Sequence, residues 1–198
     1  MAGGGESGST RTRILDASLA AFADRGVEAT SLDSLAAAVG IRKQTILYWF
    51  PSKEQLLLGV VDHAVASLGA TLSAAAAGAG PELRARLVAV VDATFRLGTT
   101  NPELLAVVRE VARVGPPAST HLAAAVAPLV DAAAGGLVGA VPERSHDEVR
   151  AELLALGARV VGMATEAEVR ADLGLPPDVA WLRARRRALI RSLVADLA

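Results

Sequence analysis

Lys43 and Lys53 are the only lysines among 198 residues, and Arg42 stands beside the first of them. Between Ser34 and Lys53 the chain carries no acidic residue. Against 20 basic and 21 acidic side chains in all, this is a local positive patch on an almost neutral chain. Clustered cations of this kind suit phosphate oxygens. The residues between them extend the chemistry. At about 100° per residue, Lys43, Gln44, Leu47 and Tyr48 share one face of a short helix, and Ile46 and Phe50 share the opposite one. A face meant only for water would not normally set Leu and Tyr side by side on so short a helix. A face meant for the DNA major groove could. Lys and Gln hydrogen-bond base edges, and an apolar side chain meets a thymine methyl. Lys53 falls in the first turn of the following helix, where a cation opposes the macrodipole. A bound phosphate reverses that preference, because helix N-termini attract anions.

The elements that must position these residues follow from caps and breakers. A first helix is expected from Thr10 to Arg25, with Ile14, Ala17, Ser18, Ala21 and Phe22 at helical spacing and Gly26 as its stop. Ser31 is a good N-cap for a second helix that turns Leu32, Leu35, Ala36 and Val39 inward and ends at Gly40. A third helix runs from Arg42 to Phe50, and Pro51 cannot continue its ladder. Ser31 to Phe50 therefore has the layout of a helix-turn-helix. Ser52 and Gln55 have the form of a capping box for a fourth helix reaching Ala76. Later helices are expected at Glu82 to Gly98, Pro102 to Val114, Pro117 to Ala134, Asp147 to Arg170 and Asp178 to the end, with a flexible loop from Gly135 to Ser145.

Composition agrees with an all-α fold, since Ala is abundant, aromatics are scarce and few segments alternate as strands do. The absence of cysteine excludes disulfides and thiolate metal sites and is compatible with a reducing cytoplasm. The Gly/Ser-rich start, residues 1–9, reads as a flexible arm and not as a signal peptide. No uninterrupted apolar run reaches the length of a membrane span, so no membrane is expected as a partner. His63, His121 and His146 show no ligand spacing, and no metal or cofactor is expected. Ser, His and Asp residues lack a nucleophile-elbow context, no cluster of convergent titratable groups marks a catalytic centre, and no enzyme activity is expected. The cluster Arg183, Arg185, Arg186 and Arg187 reads as a solvated helix face with acidic partners.

From Thr12 to Leu57 the sequence resembles the tetracycline-repressor (TetR) family of transcriptional regulators. The resemblance rests on Ile14-Leu15, Phe22, Gly26, Thr30-Ser31, Leu35-Ala36, Gly40-Ile41, Lys43, Thr45, Tyr48-Trp49, Phe50 and Pro51 to Glu54. It implies a helix-turn-helix DNA-binding domain over 10–53, followed by a helical effector-binding and dimerisation domain over 54–198. It also implies roles. Lys43, Gln44 and Tyr48 would face DNA, Thr45 and Trp49 would approach phosphates, and Lys53 would clamp one. Two positions depart from the family pattern. Leu47 stands where a Tyr is common, which either weakens one phosphate contact or trades it for an apolar base contact. Arg42 stands where a Ser cap is common, which trades a cap for a charge contact.

The resemblance further implies a homodimer built on the last two long helices and a ligand cavity among helices four to eight. Leu153, Leu156, Val160 and Met163 stripe the penultimate helix, and Leu154, Gly157, Ala158, Val161 and Gly162 widen it with small residues. Leu182, Leu189, Leu193 and Leu197 stripe the final helix. These stripes either form a four-helix interface across a two-fold axis or complete the monomer core. Phe95, Leu104, Val108, Val111, His121 and Met163 are candidates for an apolar effector pocket, with Arg96, Arg109 and Arg113 placed to reach a carboxylate or to stay on the surface. The expected function is a cytoplasmic repressor released from operator DNA by a hydrophobic or amphipathic small molecule. A helical interaction module, or a regulator with no effector, is the alternative.

Overall fold

The structure, a computed structural model, describes the backbone of residues 4–139, 141–175 and 179–197. Side chains at 4–9, 98–100, 102, 164, 165, 167, 168, 179, 182 and 193–197 lie outside the description. Nine helices and no strand are present among the described residues: α1 Gly4–Ala29, α2 Leu32–Val39, α3 Lys43–Trp49, α4 Lys53–Gly78, α5 Leu83–Thr100, α6 Pro102–Val114, α7 Ala118–Val138, α8 His146–Asp172 and α9 Val179–Leu197. The all-α expectation holds, and α6 has the bounds read from its Pro and Gly flanks. Other bounds shift, most at α1, which also continues past a kink at Gly26 to Ala29, and at α7. Helix α1 reaches back to Gly4, so residues 4–9 of the expected arm are helical, an extension that is cheap once a helix is nucleated. Helix α7 runs through Gly135 and Gly136, four residues into the expected loop.

The chain falls into two compact units, Met1–Ser67 with Glu103–Val126, and Leu68–Pro102 with Ala127–Ala198. The cut expected after residue 53 falls at the start of α4, within the first unit. The reason is packing. Leu56, Leu57, Val60 and Val61 of α4 are fully or nearly fully buried, with Ile14, Leu15, Phe22, Leu35, Ile46 and Phe50 in the same state. Gly59 makes part of this approach possible. A Cβ there would sit 2.6 Å from the Phe50 ring and 3.4 Å from a Leu15 methyl.

The core of the second unit is Leu87, Val91, Ala134, Val141, Val149, Leu156, Val160 and Leu189, with Leu83, Leu137, Val138, Leu153, Met163 and Ile190 against it. Helices α5, α7, α8 and α9 all contribute. Arg186 of α9 forms a two-point ion pair with Asp92 of α5, and Ser145 with Glu148 closes a complete capping box at the start of α8.

By length and composition α4 and α7 could each cross a membrane, with mean hydropathy 1.5 in both, although Asp62 interrupts the first and Pro128 and Asp131 the second. In α4 the apolar residues Leu56, Leu57, Val60, Val61 and Val65 are buried within the first unit. Helix α7 carries Pro128 and the ion-paired Asp131 within its span.

Candidate nucleic-acid interface

Helix α3 is seven residues long and makes few hydrogen bonds of its own, so its neighbours must hold it. Ser31 caps α2 by accepting from the Ser34 amide, at 3.0 Å. Gly40 ends α2 in the left-handed conformation, φ 74°, with its N–H on Ala36 and Ala37. That turn sends the chain back across α1, where the Arg13 guanidinium donates to the Val39 carbonyl at 2.6 Å. Ile46 is fully buried and Phe50 almost so, as their shared helical face requires, and the Arg11 guanidinium lies over the Phe50 ring. The helix is thus anchored along one side.

The other side faces outward. Tyr48 is 79% exposed. Arg42 and Gln44 are exposed, while Lys43, Thr45, Leu47 and Trp49 are half-buried. Arg42 occupies the N-cap position with extended backbone and makes no side-chain cap bond, which leaves its guanidinium outside the helix's own bonding. The Tyr48 and Trp49 rings meet edge to face at 5.3 Å. Lys43 donates to Asp33 of α2 at 2.9 Å, with the lysine side chain 41% and the aspartate 71% exposed. An exposed pair of this kind is weak and screened, so it yields readily to a phosphate or base edge.

Lys53 has other company. Its Nζ donates to the carbonyls of Val27, Glu28 and Thr30 at 2.8, 3.1 and 3.1 Å. An ammonium has three donors, and all three are taken by the C-terminal end of α1, where carbonyls and dipole both favour a cation. Lys53, the residue expected to clamp a phosphate, is thus hydrogen-bonded to the protein's own backbone.

Of the pocket candidates, Leu104, Val108, Val111 and His121 fall in the first unit and Phe95 and Met163 in the second. Val111 is fully buried, Met163 packs on the second core, and the His121 Nε2 pairs with Asp62 at 2.7 Å. His63 pairs with Asp16 at the same distance. Arg113 is not directed at an incoming carboxylate: its Nε and Nη2 donate to the two oxygens of Glu110, at 2.8 and 2.9 Å. Sequence reading missed Glu110 altogether, and a lone glutamate on a helix gives no signal that could have found it.

The interface candidates Leu153, Leu156, Val160 and Leu189 complete the second unit's own core. Leu182 and Leu193 have side chains outside the described residues. The outward face of α8 carries Ala151, Leu154, Ala158, Gly162 and Val169 instead, with Leu154 53% exposed. In the arginine cluster, Arg185 and Arg186 have the expected acidic partners, Glu166 and Asp92.

Residues 14–60 match the tetR family of bacterial regulatory proteins. No curated relative matches the sequence. Among solved structures, a transcriptional regulator from Rhodococcus sp. Rha1 is similar at TM-score 0.72 and 20% identity, over 93% of this chain and 96% of its own. A TetR family transcription regulator from Marinobacter aquaeolei VT8 is similar at TM-score 0.67 and 20% identity, over 94% and 96%. The transcriptional regulator FadR from Bacillus subtilis, solved in complex with stearoyl-CoA, is similar at TM-score 0.76 and 15% identity, over 94% and 99%.

Proposed function

We propose that the chain, whose residues 14–60 match the tetR family of bacterial regulatory proteins, is a cytoplasmic homodimeric repressor that leaves its operator when a small amphipathic molecule binds. The observation that carries the reading is the two-sided helix α3. Ile46 is fully buried on one side, while Arg42, Gln44 and Tyr48 stand exposed on the other. A helix anchored in this way can enter a major groove as a rigid body.

Within this reading Gln44 and Tyr48 read base edges, Lys43 exchanges Asp33 for DNA, and Arg42 contacts phosphate. Leu47 meets a thymine methyl, and Thr45 and Trp49 line the groove wall. Lys53 supports the arrangement from behind by holding α1. The exposed small-residue face of α8 is the surface on which two copies meet. The stearoyl-CoA held by FadR supports an effector with a long apolar part and a polar head. The half-buried Leu104 and Val108 on α6 are candidates to line its site.

Selection of bound sequences from random duplex DNA tests the proposal. A two-fold related consensus, with affinity that falls steeply as salt rises, is the expected result. Failure to retain any duplex at low salt would refute it.

A further inference from the structure

We infer that Glu110 of α6 is a positioning residue for DNA binding, acting through the kinked end of α1 that Lys53 also grips. This rests on the reading that α3 meets DNA. Helix α1 breaks at Gly26, whose φ of 81° and ψ of 162° lie in a region open essentially to glycine alone. The break takes the Val27 amide out of the helical ladder. That amide donates instead to Glu110 Oε1, 83 residues later, at 2.7 Å. The contact leaves no spare room, because a Cβ on Gly26 would lie 3.1 Å from the same oxygen. Arg113 fixes the carboxylate through its two hydrogen bonds, and the Glu110 side chain is only 12% exposed.

Val27 is held from its other side too, since its carbonyl accepts from Lys53 at 2.8 Å. One residue is thus bonded through its amide to a carboxylate on α6 and through its carbonyl to the ammonium that opens α4. The charges agree with the peptide dipole at both ends, so each contact strengthens the other. Lys53 stands three residues beyond Phe50, the C-cap of α3. The path from α6 to the DNA-facing helix is therefore short and made of strong bonds: Arg113, Glu110, Val27, Lys53, then the α3–α4 corner. Thr30 closes the loop from within, donating to the Gly26 carbonyl at 2.8 Å. With the carboxylate removed, Val27 keeps only the contacts on its carbonyl, from Lys53 and the Thr30 amide, and the corner loses its reference to α6.

The test uses the full chain, with an operator selected from random duplexes and a scrambled duplex of the same length. Glu110→Ala is expected to remove hydrogen-exchange protection at the Val27 amide. It should weaken the operator complex about tenfold while leaving scrambled-duplex affinity and salt slope unchanged. Glu110→Gln retains an acceptor for Val27 and should recover most of both properties. If Glu110→Ala fails to fold, Arg113→Gln, which releases the aim of the carboxylate, should produce the same split between operator and scrambled duplex. Operator affinity within twofold of wild type in the folded alanine variant, or an amide at Val27 that stays protected, overturns the inference. A wild-type chain that binds no duplex overturns the DNA reading itself, and that outcome is scored before any variant is compared.

Discussion

At the scale of single residues, the two lysines that stand out in the sequence have different jobs. Lys43 has one exposed acidic partner, Asp33, and can trade it for DNA at little cost. Lys53 has three carbonyl partners, and leaving them would strand the end of α1. Lys53→Ala is therefore expected to lower stability by about 1–3 kcal/mol, the scale for hydrogen bonds to a charged group. Denaturant melts should show a lower midpoint with an unchanged slope. Its salt dependence of DNA binding should match wild type, whereas a phosphate contact would reduce the log–log slope by about 1. Gln44 is the opposite case, exposed on the outward face of α3 with nothing structural to hold. Gln44→Ala should leave stability and scrambled-duplex binding alone and change the selected consensus, with a mismatch scale of roughly 1–3 kcal/mol at the affected base pair. An unchanged consensus would remove Gln44 from base reading.

At the scale of elements, local rules were legible and long-range partners were not. Ser31 and Gly40 bound α2 as their side-chain oxygen and positive φ demand, and the opposition of Ile46 and Phe50 to Tyr48 follows from helical periodicity alone. Ser145 and Glu148 had the form of a capping box in the sequence and could have set the start of α8, which was read one residue late. Glu110 could not have been read, because its partner lies 83 residues earlier and exists only where α1 breaks. The apolar stripe of α8 was legible, but periodicity does not say whether a stripe is covered by its own chain or by another copy. Two predictions follow from element packing. Gly59→Ala places a methyl 2.6 Å from the Phe50 ring, an overpacking that should cost about 1–3 kcal/mol, measured as a fall in the unfolding midpoint. The Glu110 carboxyl is held below the usual carboxylate range, first by hydrogen bonds from Arg113 and further by the Val27 amide, with burial pushing the other way. A depressed folded-state pKa gives stability that is complete above the unfolded value of about 4.3 and lost as pH falls through the lower folded value. Wild type should therefore out-melt Glu110→Gln at pH 7, and the gap should close as pH drops below about 4.

At the scale of the whole molecule, the proposed repressor needs two copies and two exclusive states. Leu154 is half-exposed on the small-residue face of α8, while Leu156, two residues on, is 5% exposed in the second unit's core. A carboxylate at Leu156 would be buried unpaired, so Leu156→Asp should unfold the chain. Leu154→Asp puts the same charge on the exposed surface proposed to meet a second copy, so it should leave the melting curve intact and yield monomers in sedimentation. Those monomers should lose operator binding far more than scrambled-duplex binding, because only a dimer sets two recognition helices one helical turn, roughly 34–36 Å, apart on the DNA. A Leu154→Asp chain that stays dimeric would move the interface elsewhere. The two states impose a second requirement. An effector can release the operator only if it binds the DNA-incompetent state more tightly, and linkage then obliges the operator to weaken effector binding by the same factor. A stearoyl-CoA titration by calorimetry, run with and without saturating operator, measures both sides of that balance. The expected outcome is a dissociation constant raised by operator by the same factor by which the ligand raises the operator's. Equal affinity in the two titrations would show that this ligand does not induce release, however tightly it binds.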